Sequence, residues 1–425
     1  MIKLLVDGVS PDSEIYKKSD PGPGVEKTVS EILEAVRTEG DNALKKYTKE
    51  LDRAELEVLE VSNEEIDAAM ELVPKELIRV FNEAACNIRR FHSRQIRSSY
   101  VISESDGIVC GQRVVPIEYV GLYVPGGSAP LPSTVLMGAV PAKLAGCPNI
   151  IMCTPPSPDG SINPAILAAA RIAGVDRIFK LGGAQAIAAM AYGTETVPRT
   201  DKIVGPGNAF VAEAKRQVYG TVSIDMIAGP SDILVVADAK SSPSHVAADL
   251  LSQAEHDKNA SAVLVTDSRE LAQAVSIKLE EMLNRLPRRE IAAASIERNG
   301  RIILASSIKR AVEIANGIAP EHLELMVDNP FDYLGAVKNA GSVFMGRYCP
   351  EALGDYLSGS NHTLPTGGTA RFSSPLSVDD FVKKTQYTYY TEEAFKGVYR
   401  DVAYFAKTES LDAHANSALI RFEEP

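Results

Sequence analysis

The sequence predicts an α/β protein built around two parallel-sheet domains, with a helical segment before them and a tail of different texture behind them. Three observations predict this fold class. Short β-branched runs alternate with helical segments, Gly or Pro bounds most of these runs, and the rhythm occurs in two successive series. Strands that alternate with helices in this way form parallel sheets covered by helices.

The first elements are helical, because residues 25–100 are charged and have a helical pattern, as in TVSEILEAVRTEGDNALKKYTKEL. From residue 118 the first βα series has the strand-like runs EYVGLYVPGG, NIIMCTPP, RIFKLGG and DKIVGPG. The second series has DILVVAD, SAVLVTD, RIILASS and GSVFMG. We interpret the two series as Rossmann-like domains with a cleft between them, and we expect ligands beyond the carboxyl ends of the strands.

The last fifty residues lose this rhythm. VKKTQYTYYTEEAFKGVYRDVAYFAKTESLDAHANSALI is rich in aromatic residues and predicts extended segments followed by a closing helix. We interpret this stretch as a tail that packs on something else.

Composition narrows the classes of partner. The 425 residues carry a net charge of −12 and contain no block of Lys or Arg, which argues against nucleic acid as a partner. No apolar run reaches the roughly 18 residues of a membrane span, so we expect no membrane partner. The start MIKLLVDGVSPDSEIYKK has no signal-peptide pattern and the five cysteines form no CxxC pair, so we expect a cytoplasmic protein with free thiols.

Three strand-to-helix turns hold much of the glycine and proline: VPGGSAPLPST at 124–134, LGGAQAIAAM at 181–190 and VGPGNAF at 204–210. Glycine at such turns is often purely structural. Helix N-termini also offer free N–H groups to anions, so a nucleotide or phosphate site is the second interpretation. None of the turns matches GxGxxG, and both interpretations remain open.

The histidines carry more information, because four of the six lie at predicted loops or helix ends in the second half: His256, His322, His362 and His414. Gln253 and His256 are three residues apart and share one helix face. Imidazole is a good zinc ligand and a carboxamide oxygen an uncommon one, so the pair indicates either a metal site or a helix C-cap.

Three further stretches combine carboxylates with imidazoles. APEHLEL at 319–325 places Glu321 beside His322, which suits a general base and acid or, alternatively, the first turn of a helix. The long polar stretch CPEALGDYLSGSNHTLPTGG at 349–368 contains Asp355 and His362, and ESLDAH in the tail contains Glu409 and His414. Such loops are either solvated or functional.

Taken together, these motifs resemble one family over residues 20–420. The combination comprises GLYVPGGSAPLPSTVLM, GGAQAIAA, DKIVGPGNAFVAEAKRQV, IDMIAGPSDILVVAD, LLSQAEH, APEHLEL, GDYLSGSNHTLPT and AHANS. The chain resembles the histidinol dehydrogenases, which are zinc- and NAD-dependent enzymes. The resemblance implies four-electron oxidation of L-histidinol through L-histidinaldehyde to L-histidine with two NAD, the last step of histidine biosynthesis.

The resemblance also implies roles for individual residues. Glu321 and His322 form the catalytic pair, and Tyr123, Gln185 and Asn208 contact NAD. One zinc ion per subunit has the ligands Gln253, His256, Asp355 and His414. The substrate contacts are Ser231, Gln253, His256, His322, Asp355, His362, Glu409 and His414. The family forms an intertwined homodimer with shared active sites, in which the partner's tail supplies the last histidine.

The expected domain organisation follows from these roles. Residues 1–24 form an N-terminal tail, and residues 25–122 with 232–375 form a discontinuous α/β domain that carries the metal ligands and catalytic residues. Residues 123–231 form an inserted α/β domain with the NAD contacts, and residues 376–425 form the dimerisation tail with one metal ligand.

One departure and two alternatives remain. Asp232 stands where the family usually has Glu, which keeps the carboxylate but shortens it by one methylene. A relative that oxidises another small alcohol, such as a sulfonated diol, would alter the residues that read imidazole and amine. A non-catalytic nucleotide-binding regulator would have lost the Glu321–His322 pair or a metal ligand, and the sequence retains both.

Overall fold

A computed structural model describes residues 2–17, 24–126, 130–227 and 229–423. The turn predicted at 124–134 therefore lies partly outside the described residues. The chain divides into two compact units, the first made of residues 1–95 and 117–381 and the second of residues 96–116 and 382–425. None of the described helices combines the length and the apolar character that a bilayer span requires.

The secondary structure alternates between strands and helices through most of the chain. The strands are β1 (Lys3–Val6), β2 (Tyr100–Ile102), β3 (Ile108–Pro116), β4 (Tyr119–Tyr123), β5 (Asn149–Thr154), β6 (Arg177–Lys180), β7 (Lys202–Val204), β8 (Ser223–Ile224), β9 (Asp232–Ala237), β10 (Ser261–Thr266), β11 (Arg301–Leu304), β12 (His322–Met326), β13 (Ser342–Met345) and β14 (Val382–Tyr390). The α-helices are α1 (Asp12–Ile15), α2 (Glu26–Glu39), α3 (Asp41–Tyr47), α4 (Asn63–Leu72), α5 (Lys75–His92), α6 (Pro132–Ala145), α7 (Pro164–Ala173), α8 (Gly183–Tyr192), α9 (Ala209–Val218), α10 (Pro243–Ala254), α11 (Arg269–Leu283), α12 (Arg289–Asn299), α13 (Ile308–Ile318), α14 (Phe331–Leu334), α15 (Glu351–Tyr356), α16 (Glu392–Lys396), α17 (Tyr399–Thr408) and α18 (Asp412–Leu419). A π-helical turn, Thr48–Asp52, follows α3.

The first unit contains a five-stranded parallel sheet in the order β6-β5-β4-β7-β8. Helices α6 and α7, backed by α4 and α5, bury one of its faces, and α8 and α9, backed by α2 and α3, bury the other. The strand order reverses between β4 and β7, so the carboxyl ends of these two strands flank a topological switch point.

The same unit contains a six-stranded parallel sheet in the order β1-β11-β10-β9-β12-β13. All the residues of β10 and β12 are buried, as expected of strands that helices cover on both faces. The prediction of an α/β fold with two parallel sheets is confirmed. The stretch expected as an N-terminal tail contains β1, which pairs with β11 at this sheet's edge.

The six-stranded sheet has its own switch point between β9 and β12, and an ion-pair network fills it at the carboxyl ends. Arg347 donates to both carboxylate oxygens of Asp238, which follows β9, at 2.6 and 2.7 Å. The same guanidinium donates to Asp328, which lies just beyond β12, at 2.8 Å. This crevice is therefore closed by the chain's own charges.

The second unit has a three-stranded antiparallel sheet in the order β14-β3-β2. The nine residues of β14 pair along the whole of β3, from Val382 opposite Pro116 to Tyr390 opposite Ile108. Helices α16, α17 and α18 follow β14. The tail predicted as extended segments and one closing helix thus consists of one long strand and three helices.

Candidate active site

The described site residues of the first unit gather at opposite ends of its two sheets. Tyr123 closes β4 and Asn208 follows β7, so both lie at the carboxyl ends of the five-stranded sheet. Ser231 precedes β9 and His322 begins β12, so both lie at the amino ends of the six-stranded sheet. We expected ligands beyond the carboxyl ends, but the candidate residues of the second sheet lie at its amino ends, and the Arg347 ion pairs occupy its carboxyl-end crevice.

The larger cavity of the site, about 780 Å³, lies at the switch point of the five-stranded sheet, and its lining includes Tyr123, Gln185 and Asn208. The Asn208 side-chain oxygen caps α9 by accepting from the N–H groups of Phe210 and Val211 at 3.0 and 3.1 Å. Its amide hydrogens are left for a ligand.

The smaller cavity, about 190 Å³, adjoins the larger one, because Leu131, Gly207, His256 and Tyr356 line both. The smaller cavity brings together the remaining site residues of this unit: Ser231, Gln253, His256, Glu321, His322, Asp355 and His362. The two cavities therefore meet at the four residues that line both.

Reciprocal hydrogen bonds between Glu321 and Asp232 join the amino ends of the neighbouring strands β12 and β9. The Asp232 N–H donates to Glu321 Oε2 at 3.1 Å, and the Glu321 N–H donates to Asp232 Oδ1 at 2.8 Å. Burial, followed by the nearby Asp232 carboxylate, raises the pKa of Glu321 well above its ordinary value. When ionised, Glu321 is therefore a strong proton acceptor.

His322 is held in one tautomer. Its Nδ1 lies 3.0 Å from the Asp232 carbonyl oxygen, which only accepts, so Nδ1 carries the proton. Burial lowers the pKa of His322, which favours the neutral ring. Nε2 is buried without a partner among the described residues, so its lone pair is free to accept a proton or a ligand.

A second unsatisfied atom lies in the smaller cavity. Gln253, in the last turn of α10, is 1% exposed, and its Oε1 has no hydrogen-bond partner among the described residues. Donor atoms of His322, Glu351 and Asp355 lie within 4.8 Å of one another. Buried oxygen and nitrogen donors gathered around a cavity suit a divalent metal ion.

Burial dominates the electrostatics beside these donors. It raises the pKa of Asp355 to about 8, with the Glu351 carboxylate as the second cause. It also lowers the pKa of His362 to about 4, with His322 as the second cause. His362 Nδ1 lies 3.9 Å from Asp355 Oδ1. A cation placed among these groups would offset the cost of burying the carboxylates.

The comparison with known proteins shows the family of this chain. The family model for histidinol dehydrogenase matches residues 17–422. The chain belongs to the histidinol dehydrogenase family.

Relatives from bacteria extend the match over nearly the whole chain. The histidinol dehydrogenase of Clostridium acetobutylicum is 53% identical over 429 residues, covering 100% of this chain and 99% of its own. The histidinol dehydrogenase of Bacillus cereus is 54% identical over 400 residues, which cover 94% of this chain and 93% of the relative. The crystal structure of histidinol dehydrogenase from Elizabethkingia anophelis has a TM-score of 0.93 and 42% identity, covering 99% of this chain and 98% of that one.

Two residues that the family resemblance links to the site belong to the second compact unit. Glu409 follows α17, and His414 lies on α18; both side chains are exposed. The cluster in the first unit is built without them, and their roles remain predictions.

Sequence reasoning missed two acidic residues that line the two cavities. Glu351 is 3% exposed, lies one helical turn before Asp355 on α15, and accepts from Ser252 Oγ at 3.0 Å. The four-residue spacing was the available signal, because it places both carboxylates on one helix face. Asp52 lines the larger cavity from the N-terminal helices, and no motif marks it.

Proposed function

We propose that the protein is an L-histidinol dehydrogenase that performs a four-electron oxidation of L-histidinol, through L-histidinaldehyde, to L-histidine with two NAD. The single observation that carries this proposal is the junction of the two cavities. One holds the catalytic candidates Glu321 and His322, and the other holds the NAD candidates at a switch point. Family membership supplies the substrate class. This reaction would be the last step of histidine biosynthesis.

The residues present fit a dinucleotide. The larger cavity falls within the 300–1,000 Å³ of ordinary cofactor sites, and buried Gln185 Oε1 has no partner among the described residues. We assign NAD to Tyr123, Gln185 and Asn208. When bound, NAD supplies the hydride acceptor.

His322 serves as the base for both oxidations in this proposal. In the first, its Nε2 takes the alcohol proton while the carbon loses hydride, which leaves the aldehyde. Glu321 then takes a proton from the water that adds to the aldehyde carbon, while His322 returns its proton to the aldehyde oxygen, which gives the hydrate and leaves Nε2 free again. In the second oxidation His322 takes a hydroxyl proton of the hydrate while the carbon again loses hydride, which leaves the carboxylic acid.

We propose one zinc ion per subunit at the smaller cavity, which Gln253, His256 and Asp355 all line. We propose Gln253, His256 and Asp355 as ligands from one subunit and the partner subunit's His414 as the fourth, with the unsatisfied Gln253 Oε1 as the structural support. Zinc, when bound, supplies a fixed positive charge that suits the imidazole and amine of the substrate. Ser231, His362 and Glu409 complete the proposed substrate contacts.

The proposed assembly is a homodimer with shared active sites, and the proposed compartment is the cytoplasm. The five cysteines support the compartment, because all of them are free thiols.

The test follows NADH absorbance with purified protein, L-histidinol and NAD, with and without a chelator. We expect two NADH per histidinol, loss of activity on chelation and recovery with zinc. Absence of turnover in zinc-loaded dimer would contradict the proposal, and a screen of other small alcohols, including sulfonated diols, would follow.

A further inference from the structure

Asp52 is a carboxylate that the protein leaves short of hydrogen-bond donors. It ends the π-helical turn Thr48–Asp52, and the next residue, Arg53, has a φ of 61°. Among the described residues its side chain accepts one long bond, from Gln185 Nε2 at 3.4 Å. A carboxylate has about four acceptor positions, so a half-buried one with a single weak donor lacks donors that a ligand can supply.

The position of Asp52 indicates which part of a ligand it meets. Asp52 lines the larger cavity together with Thr28, Ile32 and Leu51, and none of these four lines the smaller, catalytic cavity. The residues common to both cavities include His256 but not Asp52. The reacting ring of a dinucleotide must reach that shared region, so the part of the cavity that contains Asp52 is assigned to the adenosine half.

The surroundings of Asp52 suit a nucleoside better than a phosphate. Leu51 is 58% exposed and, with Ile32, offers apolar surface for a base. The Asp52 carboxylate lies beside Gly182, where an added Cβ would come 3.0 Å from Oδ1. The negative charge therefore stands at the turn that opens α8, the place where a phosphate would otherwise be favoured.

From these contacts we infer that Asp52 accepts hydrogen bonds from the ribose hydroxyls of the adenosine half of NAD and disfavours a dinucleotide that carries a 2′-phosphate. A hydroxyl supplies the missing donor, whereas a phosphate offers only acceptors and a like charge. The inference rests on the proposed function, because it places NAD in the larger cavity. Asp52 is thus a specificity-determining residue and takes no part in proton transfer.

The test measures binding of NAD and of NADP to the purified protein by isothermal titration calorimetry, without histidinol. The variants are Asp52→Asn, Asp52→Ser and the matched control Glu50→Gln, which removes an exposed carboxylate from the same turn. We expect the wild type to prefer NAD. Both Asp52 variants should bind NAD about tenfold or more weakly than the wild type, and the ratio of their affinities for NAD and NADP should be smaller. Glu50→Gln should behave as the wild type.

The outcomes distinguish failure of the proposed function from failure of the role assigned to Asp52. Wild-type protein that binds neither dinucleotide would overturn the proposed function and the role of Asp52 with it. Wild-type binding of NAD with no change in either Asp52 variant would overturn the role of Asp52 alone. Thermal unfolding of each variant identifies a misfolded one, and the serine variant keeps the test decisive if the asparagine variant fails to fold.

Discussion

At the scale of single residues, the proposed division of labour between Glu321 and His322 gives a sharp prediction. Glu321→Gln should spare oxidation of the alcohol and suppress oxidation of the aldehyde by about 10²–10⁴-fold, because only hydration needs the carboxylate. Stopped-flow measurements that start from histidinol and from histidinaldehyde separate the two rates. Equal losses in both half-reactions would contradict this assignment.

Asp52 gives a prediction in pH. Burial raises the pKa of this carboxyl to about 6. Only the ionised form accepts hydrogen bonds at both oxygens from the ribose hydroxyls. The affinity for NAD should therefore be highest above pH 7 and fall, by up to about tenfold, as the pH falls through 6.

The pH dependence needs a control, since His256, Glu255 and Arg288 also line the larger cavity. Calorimetric titrations from pH 5 to 8 should show a flattened profile for Asp52→Asn. An identical slope in the variant would assign the dependence to another group.

Some of the candidate site residues could be recognised from the sequence alone, and others could not. Gln253, His256, Glu321 and His322 stood out because an amide or carboxylate beside an imidazole is a recognisable combination. Asp52 did not stand out, because its importance arises from the distant chain segments that surround it. A local pattern contains no information about such surroundings.

At the scale of elements, a buried ion pair holds the turn between β7 and α9. Lys215 on α9 pairs with Asp225, with side chains 2% and 1% exposed, and donates to the Gly205 carbonyl at 3.0 Å. Asp225 also accepts from the Gly205 N–H at 2.8 Å. The Lys215–Asp225 pair therefore holds the turn that precedes Asn208 through both backbone groups of Gly205.

Lys215→Met should destabilise the protein by about 3–5 kcal/mol, because it leaves the Asp225 carboxylate buried without its cation. Denaturant unfolding measures the loss. The matched control is Arg216→Met, on the next residue. It breaks a pair in which the Arg216 side chain is 52% exposed and in which Glu213 keeps the Gln217 amide as a donor, so it should cost less stability. Similar losses in both variants would show that burial does not govern the Lys215 pair.

The alternation of elements was predictable from local composition, and the position of the candidate residues at the amino ends of the six-stranded sheet was not. The sequence of β12 begins with His322, yet APEHLEL also suits the start of a helix. Whether a ligand can lie at the carboxyl or the amino ends of the strands depends on which of the two crevices the rest of the chain leaves open. In the six-stranded sheet Asp238 and Arg347 close the usual one.

At the scale of the whole molecule, the proposed dimer has a consequence for mixed subunits. His414→Ala and His256→Ala proteins should each be inactive. Heterodimers formed by subunit exchange should recover activity, because one of their two sites would then have all its ligands.

NADH formation after exchange, with differently tagged subunits to confirm mixing, measures this recovery. The control mixes each variant with itself. Confirmed heterodimers without activity would argue against a ligand that crosses the interface.

The filled crevice of the six-stranded sheet also has a practical use. Lys240, whose side chain is 74% exposed, lies at that end and pairs with Asp328. Strands of five or six residues separate it from the smaller cavity by roughly 15–20 Å. Within this unit, a fluorophore or a surface tether attached at Lys240 would report on the enzyme or immobilise it while the chemistry at the opposite end proceeds undisturbed.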